Sequence, residues 1–222
     1  MGRNIELKAS DGFTLSAYRA DPAGTPRGGI VIAQEIFGVN SHIRSVCDGY
    51  AADGYVAVAP ALFDRIEKNV DIGYTPADIA RGRELKARAA TEAALRDISA
   101  ARDSIAASGR FAVMGYCWGG FIAWMSACKL SGFACAVCYY GGGMLEAGAE
   151  TPRCPVLAHF GERDSMIPVD GVKRFAAAQP NVEVHIYAAD HGFNCDQRGS
   201  YDAAAATLAR QRTLQFLREH VG

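Results

Sequence analysis

The chain has 222 residues, half of them hydrophobic, with 23 Lys and Arg against 24 Asp and Glu. Length and apolar content suit one α/β domain spanning residues 1–222, with a sizeable core. The charge balance and the absence of a basic run leave no electrostatic footprint for nucleic acid. No apolar run reaches the roughly 18 residues of a membrane span, and the first residues lack the apolar core of a signal peptide, so a soluble cytoplasmic protein is expected.

Ile5–Lys8 and Phe13–Arg19 alternate about the turn Ser10-Asp11-Gly12, which predicts an opening β-hairpin. Gly29–Ala33 is apolar without alternation, as a strand buried on both faces must be. Asn40-Ser41 offers an N-cap for a helix to about Ala52, Gly54 ends it, and Tyr55–Ala59 is another buried strand stopped by Pro60. Leu62–Thr75 is irregular. Pro76 then opens a helical stretch to about Ser108, long enough for two helices or one broken one, with Gly82 interrupting its first part and clear periodicity from Thr91 to Ala107. Strands follow at Phe111–Tyr116, Ala134–Tyr140, Pro155–Phe160 and Val182–Tyr187, with helices after Cys117, near Gly171–Ala178 and over Tyr201–His220. Strands alternating with helices imply a mostly parallel sheet covered on both faces.

Phe111–Gly120 reads FAVMGYCWGG, a strand that breaks at a glycine-flanked cysteine before a helix. Gly-x-Cys-x-Gly-Gly is the nucleophile elbow of the α/β-hydrolase fold with a thiol in place of the usual hydroxyl. Glycines at 115 and 119 remove Cβ atoms where backbones converge, and the helix N-terminus favours a thiolate at Cys117. Glu35, Cys117, Asp164 and His191 each follow a predicted strand, and reactive groups gather at the carboxyl ends of such strands. The order nucleophile, acid, histidine matches that of α/β-hydrolases. His191 is the expected proton acceptor and donor, and Asp164 its orienting acid, in preference to Asp190 and Asp170. The amides of Trp118 and Ile36 are the expected oxyanion donors.

Seven cysteines without a dense framework suggest free thiols. The Cys135-x-x-Cys138 pair falls on a strand, where residues three apart face opposite ways, so it is poorly placed for a metal or a disulfide. His159 reads as a core residue, and His42, His185 and His220 carry no supporting pattern. Neither a metal nor a cofactor is expected.

The motifs QEIFGVN at 34–40, GYCWGG at 115–120, YYG at 139–141, GERD at 161–164 and Gly192-Phe193 after His191 resemble the dienelactone hydrolase (carboxymethylenebutenolidase) family over nearly the whole chain. The resemblance implies a cysteine hydrolase opening a dienelactone to maleylacetate, its substrate a small ester or lactone. It implies that Glu35 pairs with Cys117 at rest and takes its proton when substrate arrives. It also implies two arginines for the substrate carboxylate. One maps to Arg83, with Arg81 beside it; at the second position this chain has Cys195, and Arg198 is the nearby alternative. Tyr139 corresponds to a site tyrosine, and Trp118 replaces a smaller aliphatic residue. A broader esterase or thioesterase, or a thiol sensor of oxidants and electrophiles, are the alternatives. Oligomeric state is open, and a monomer is compatible with the sequence.

Overall fold

The structure, a computed structural model, describes residues 2–222. One eight-stranded sheet runs in the order β1 (Arg3–Lys8), β2 (Thr14–Ala20), β4 (Tyr55–Pro60), β3 (Gly28–Ala33), β5 (Phe111–Tyr116), β6 (Cys135–Tyr139), β7 (Val156–Gly161), β8 (Val182–Tyr187). The β1 and β2 pairings are antiparallel, as the hairpin pattern predicts, and every pairing from β4 to β8 is parallel. Strands β3 and β4 are buried at every position. Their unbroken apolar character follows from helices on both sheet faces. On one face α1 (Ser41–Ala52) meets α6 (Ala203–His220), where Arg210 reaches the Gly49 carbonyl and Asp53. On the other, α3 (Thr91–Ser104) packs beside α4 (Trp118–Lys129). No helix among the described residues is long and apolar enough to cross a membrane.

The chain leaves β3 toward β4 on one side and later returns to β5 on the other, so the strand order reverses between β3 and β5. In open parallel sheets that reversal opens a crevice at the carboxyl ends of the strands. Glu35 and Ile36 follow β3 and Cys117 follows β5, so the crevice lies among them.

Gly82 does not interrupt the helical stretch. Helix α2 (Pro76–Arg88) runs through it, and the break falls at Ala89-Ala90 before α3. A Cβ at Gly82 would stand 2.4 Å from the Ile36 carbonyl oxygen, so the glycine brings the helix onto the loop after β3. Propensity marks a helical glycine as a weakness, and here close packing overrides it.

The irregular segment between β4 and α2 is tied down. Ile72 N–H donates to the Phe37 carbonyl at 3.1 Å, and Arg44 pairs with Asp71 at 2.8 Å. Leu62 and Phe63 are buried. Arg65 donates to both oxygens of the fully buried Asp97 on α3, at 2.8 and 2.9 Å, and also reaches Asp11 in the hairpin turn. Burial pushes the Asp97 carboxyl up against the opposing pull of Arg65. Three distant stretches thus meet on one guanidinium. Arg65→Ala, which leaves the buried carboxylate unpaired, is expected to cost about 3–5 kcal/mol, while Arg65→Met with Asp97→Leu restores most of it. Urea unfolding of the single and double variants checks this, and a single variant within 1 kcal/mol or so of the wild type would refute it.

Candidate active site

Cys117 sits between β5 and α4 with φ 55° and ψ −119°, a left-handed conformation rare for a residue with a side chain. Hydrogen bonds over-determine it: its N–H donates to the Tyr139 carbonyl at 3.0 Å, and its carbonyl accepts from Gly120 and Phe121. The flanking glycines act through space. A Cβ at Gly115 would lie 1.9 Å from the Gly119 carbonyl oxygen, and one at Gly119 would lie 2.2 Å from that of Ala33. Strand, turn and neighbouring strand meet backbone to backbone, and the Cys117 side chain is left half-buried at the crevice.

His191 and Asp164 follow β8 and β7. His191 Nδ1 donates to Asp164 Oδ2 at 2.6 Å, and both residues are buried. The other Asp164 oxygen accepts the Met166 and Ile167 amides at 2.8 and 3.1 Å, which holds the carboxylate still. Asp190 instead accepts from the His191 amide, and Asp170 faces Lys173. Asp164 is therefore the acid on the ring. Burial opposes a charged imidazole, but Asp164 and Cys117 outweigh it and raise His191 to about 10. With Nδ1 engaged, the buried Nε2 has no hydrogen-bond partner among the described residues. Cys117 is the other group that acts on the ring.

Glu35 is buried, and its Oε1 takes a hydrogen bond from Arg198 Nη1 at 3.3 Å. The resemblance led to an expected Cys117–Glu35 pair at rest. In this structure the carboxylate pairs with Arg198, while Cys117 lies beside His191. Arg198 also lies over Phe37 and Tyr74, 5.8 and 5.9 Å from their ring centres. It crosses the loop at Gly192, where φ is +77° and a Cβ would come within 2.5 Å of the guanidinium, which accounts for a glycine after the histidine. Glu35 Oε2 is buried without a hydrogen-bond partner among the described residues.

Around the crevice, the Gln34 side chain accepts from the Leu62 amide at 3.1 Å and steadies the Glu35-Ile36 turn. The Ile36 amide donates to no acceptor among the described residues, and Trp118 opens α4, where N–H groups lack partners within the helix. The Trp118 ring stacks on Phe63, 5.0 Å between centres and 8° from parallel, so its bulk joins the tied-down segment.

Two expected substrate contacts lie elsewhere. Tyr139 points into the core, its hydroxyl 2.7 Å from Thr213 on α6 and its ring against Tyr116 and His159. Neighbours at a strand end face opposite ways, so Tyr140 takes the site side. Its φ is 37°, its ring lies 5.1 Å from His191, and its buried hydroxyl has no hydrogen-bond partner among the described residues. Burial pushes that hydroxyl's pKa well up, with the charges of Glu35, Cys195 and Cys117 adding to it. The sequence shows a Tyr-Tyr pair but not which member turns inward. Arg81 is spent on Glu67 and Glu84. Arg83 is exposed on α2 and makes no ion pair among the described residues.

Cys195 is buried, and burial together with the Glu35 charge pushes its thiol up to about 11. One donor atom from each of Glu35, His42 and Cys195 lies within 4.8 Å of the others, a cluster that sequence spacing does not suggest. All seven cysteines are free thiols.

The sequence model of the dienelactone hydrolase family matches residues 15–221. A carboxymethylenebutenolidase of Pseudomonas putida is 35% identical over 228 residues, covering 96% of this chain and 94% of its own. That of Pseudomonas knackmussii gives the same figures. The crystal structure of a candidate dienelactone hydrolase from Klebsiella pneumoniae superposes with a TM-score of 0.85 at 29% identity, covering 97% of this chain and 98% of that one. Sheet order, elbow and sequence agree with these comparisons: the chain belongs to the dienelactone hydrolase family and is a hydrolase of that type.

Proposed function

We propose that the chain hydrolyses a carboxylate-bearing lactone or ester, of the dienelactone to maleylacetate kind, with Cys117 as nucleophile. The observation that carries this is the strained Cys117 beside an imidazole whose other nitrogen is locked to the buried Asp164. A thiol becomes a nucleophile as its thiolate, and the imidazolium that Asp164 holds beside Cys117 stabilises that anion.

Arg198 supplies the link to substrate. A planar guanidinium suits a carboxylate bidentately, and a substrate anion on Arg198 competes with Glu35 for it. The released Glu35 is then a buried, underpartnered carboxylate, able to take the thiol proton. The Cys117 sulfur attacks the lactone carbonyl, and the oxyanion forms within reach of the Ile36 and Trp118 amides. Collapse breaks the ring C–O bond, His191 protonates the departing oxygen, and a thioester remains. Water then gives a proton to His191, attacks the thioester, and displaces the Cys117 sulfur as its thiolate, leaving the open-chain acid; Glu35 returns its proton to that thiolate and pairs again with Arg198. Arg83, free on α2, is the second candidate contact for the substrate carboxylate.

Cys117→Ala is expected to lower dienelactone turnover by about a thousandfold or more, with fold and stability retained; circular dichroism beside the kinetics checks both. Residual turnover within tenfold of the wild type would assign the nucleophile elsewhere.

Arg198→Gln is expected to reduce kcat/KM for the acidic lactone by about 10- to 100-fold, the cost of a lost charged hydrogen bond, and to spare a neutral aryl ester. Arg83→Ala follows the same split if it shares the anion. Equal losses on both substrates would leave Arg198 as a partner of Glu35 alone.

His191 sets a pH signature. Its folded pKa of about 10 lies above the ordinary 6.5, so the folded chain holds a proton that the unfolded chain has released between those values. That contribution is complete below pH 6.5 and is lost as the pH rises through 10, by at most about 1.4 kcal/mol per unit. Asp164→Asn preserves the acceptor for the two amides but removes the charge. The stability advantage of wild type over this variant should shrink steadily across that window in urea titrations; a constant difference would contradict it.

A further inference from the structure

We propose that Glu35, His42 and Cys195 form a binding site for a borderline divalent ion, Zn²⁺ foremost, and that the ion silences hydrolysis by occupying Glu35. The three donors lie within 4.8 Å of one another, and all three residues are buried. A tetrahedral ion with bonds of about 2.0–2.3 Å spaces its ligands about 3.3–3.8 Å apart, so a small inward shift suffices. One carboxylate, one imidazole and one thiolate, with a fourth position left open, are a donor set that Zn²⁺ accepts and that hard ions such as Mg²⁺ do not.

His42 Nε2 and Glu35 Oε2 are buried without hydrogen-bond partners among the described residues, and each side chain is almost wholly enclosed. Unpaired buried polar atoms cost free energy, and an ion would satisfy both. The surroundings resemble those of ligands held in place. His42 Nδ1 faces Asp196 Oδ1 at 3.6 Å, which leaves Nε2 as the ring nitrogen available to an ion, and the Tyr74 hydroxyl lies against the Cys195 sulfur. Arg198 holds only Oε1 of Glu35, leaving Oε2 for the ion. A surface cleft of about 300 Å³ between α1 and α6 is lined by His42 and Asp196, giving an approach that avoids Cys117. Binding converts the Cys195 thiol to a metal thiolate and releases its proton to solvent. The bound site holds one carboxylate and one thiolate against the 2+ charge, with His42 neutral.

The binding stands apart from the proposed mechanism; the inhibition rests on Glu35 as the proton acceptor described above. The test uses the full chain, freed of metal with a chelator and titrated with Zn²⁺ by calorimetry and with Co²⁺ by absorption. One equivalent of each ion should bind, Co²⁺ with a near-ultraviolet thiolate charge-transfer band. Cys117→Ala should retain both signals. His42→Phe and Cys195→Ala should each weaken Zn²⁺ binding by tenfold or more, in line with the loss of a ligand. No binding at about 10 µM Zn²⁺, a loss below tenfold in either variant, or disappearance of the band in Cys117→Ala would each overturn the site. In parallel, Zn²⁺ should suppress dienelactone turnover in wild type and not in His42→Phe. Binding without suppression would leave the site standing and remove Glu35 from the reaction; absence of turnover even without Zn²⁺ would instead refute the hydrolytic reading.

Discussion

Backbone meets backbone where β5 turns into α4, and the placement of Cys117 against the Glu35-Ile36 turn follows from that contact. With no Cβ at Gly115 or Gly119, the turn closes against itself and against the end of β3. Strain at Cys117, of order 1–3 kcal/mol for such a conformation, is held by the hydrogen bonds that enclose it. The same approach brings the Glu35-Ile36 turn beside the nucleophile. Gly82 extends the principle outward by letting α2 rest on the Ile36 carbonyl. A chain of side-chain-free contacts therefore runs from the helix that carries Arg83 to the sulfur.

Around this frame the charges form two couples rather than one relay. His191 is bound to Asp164, whose remaining oxygen is anchored by main-chain amides, so that couple is rigid. Glu35 is bound to Arg198 through a single, longer hydrogen bond and keeps one oxygen free, so that couple is open to exchange. The contrast suits their proposed roles. A base that must keep its orientation through two proton transfers needs a fixed acid, whereas a carboxylate that is to be released by substrate needs a partner with an alternative anion to hold.

Cys195 alters the chemistry on the far side of Glu35. A thiol there, with His42 opposite, creates a second cluster of soft and borderline donors that shares its carboxylate with the site. Arg198, from the following turn, reaches back over Gly192 to Glu35.

The sequence alone determined the features that depend on local chemistry. Apolar runs without alternation can only be strands covered on both faces, and two glycines around a cysteine between strand and helix can only be a tight elbow. The order of Cys117, Asp164 and His191 at strand ends followed from the same pattern. Tertiary structure decided whatever depends on facing and on distance in the chain. Periodicity makes Tyr139 and Tyr140 point oppositely without saying which meets His191. Gly82 looks like a helix break until Ile36 is seen against it. Glu35 and Arg198 are 163 positions apart, and His42 comes near Cys195 only because α1 and the loop after β8 close over the same edge of the sheet. No local propensity encodes such meetings, because they are set by the path of the whole chain.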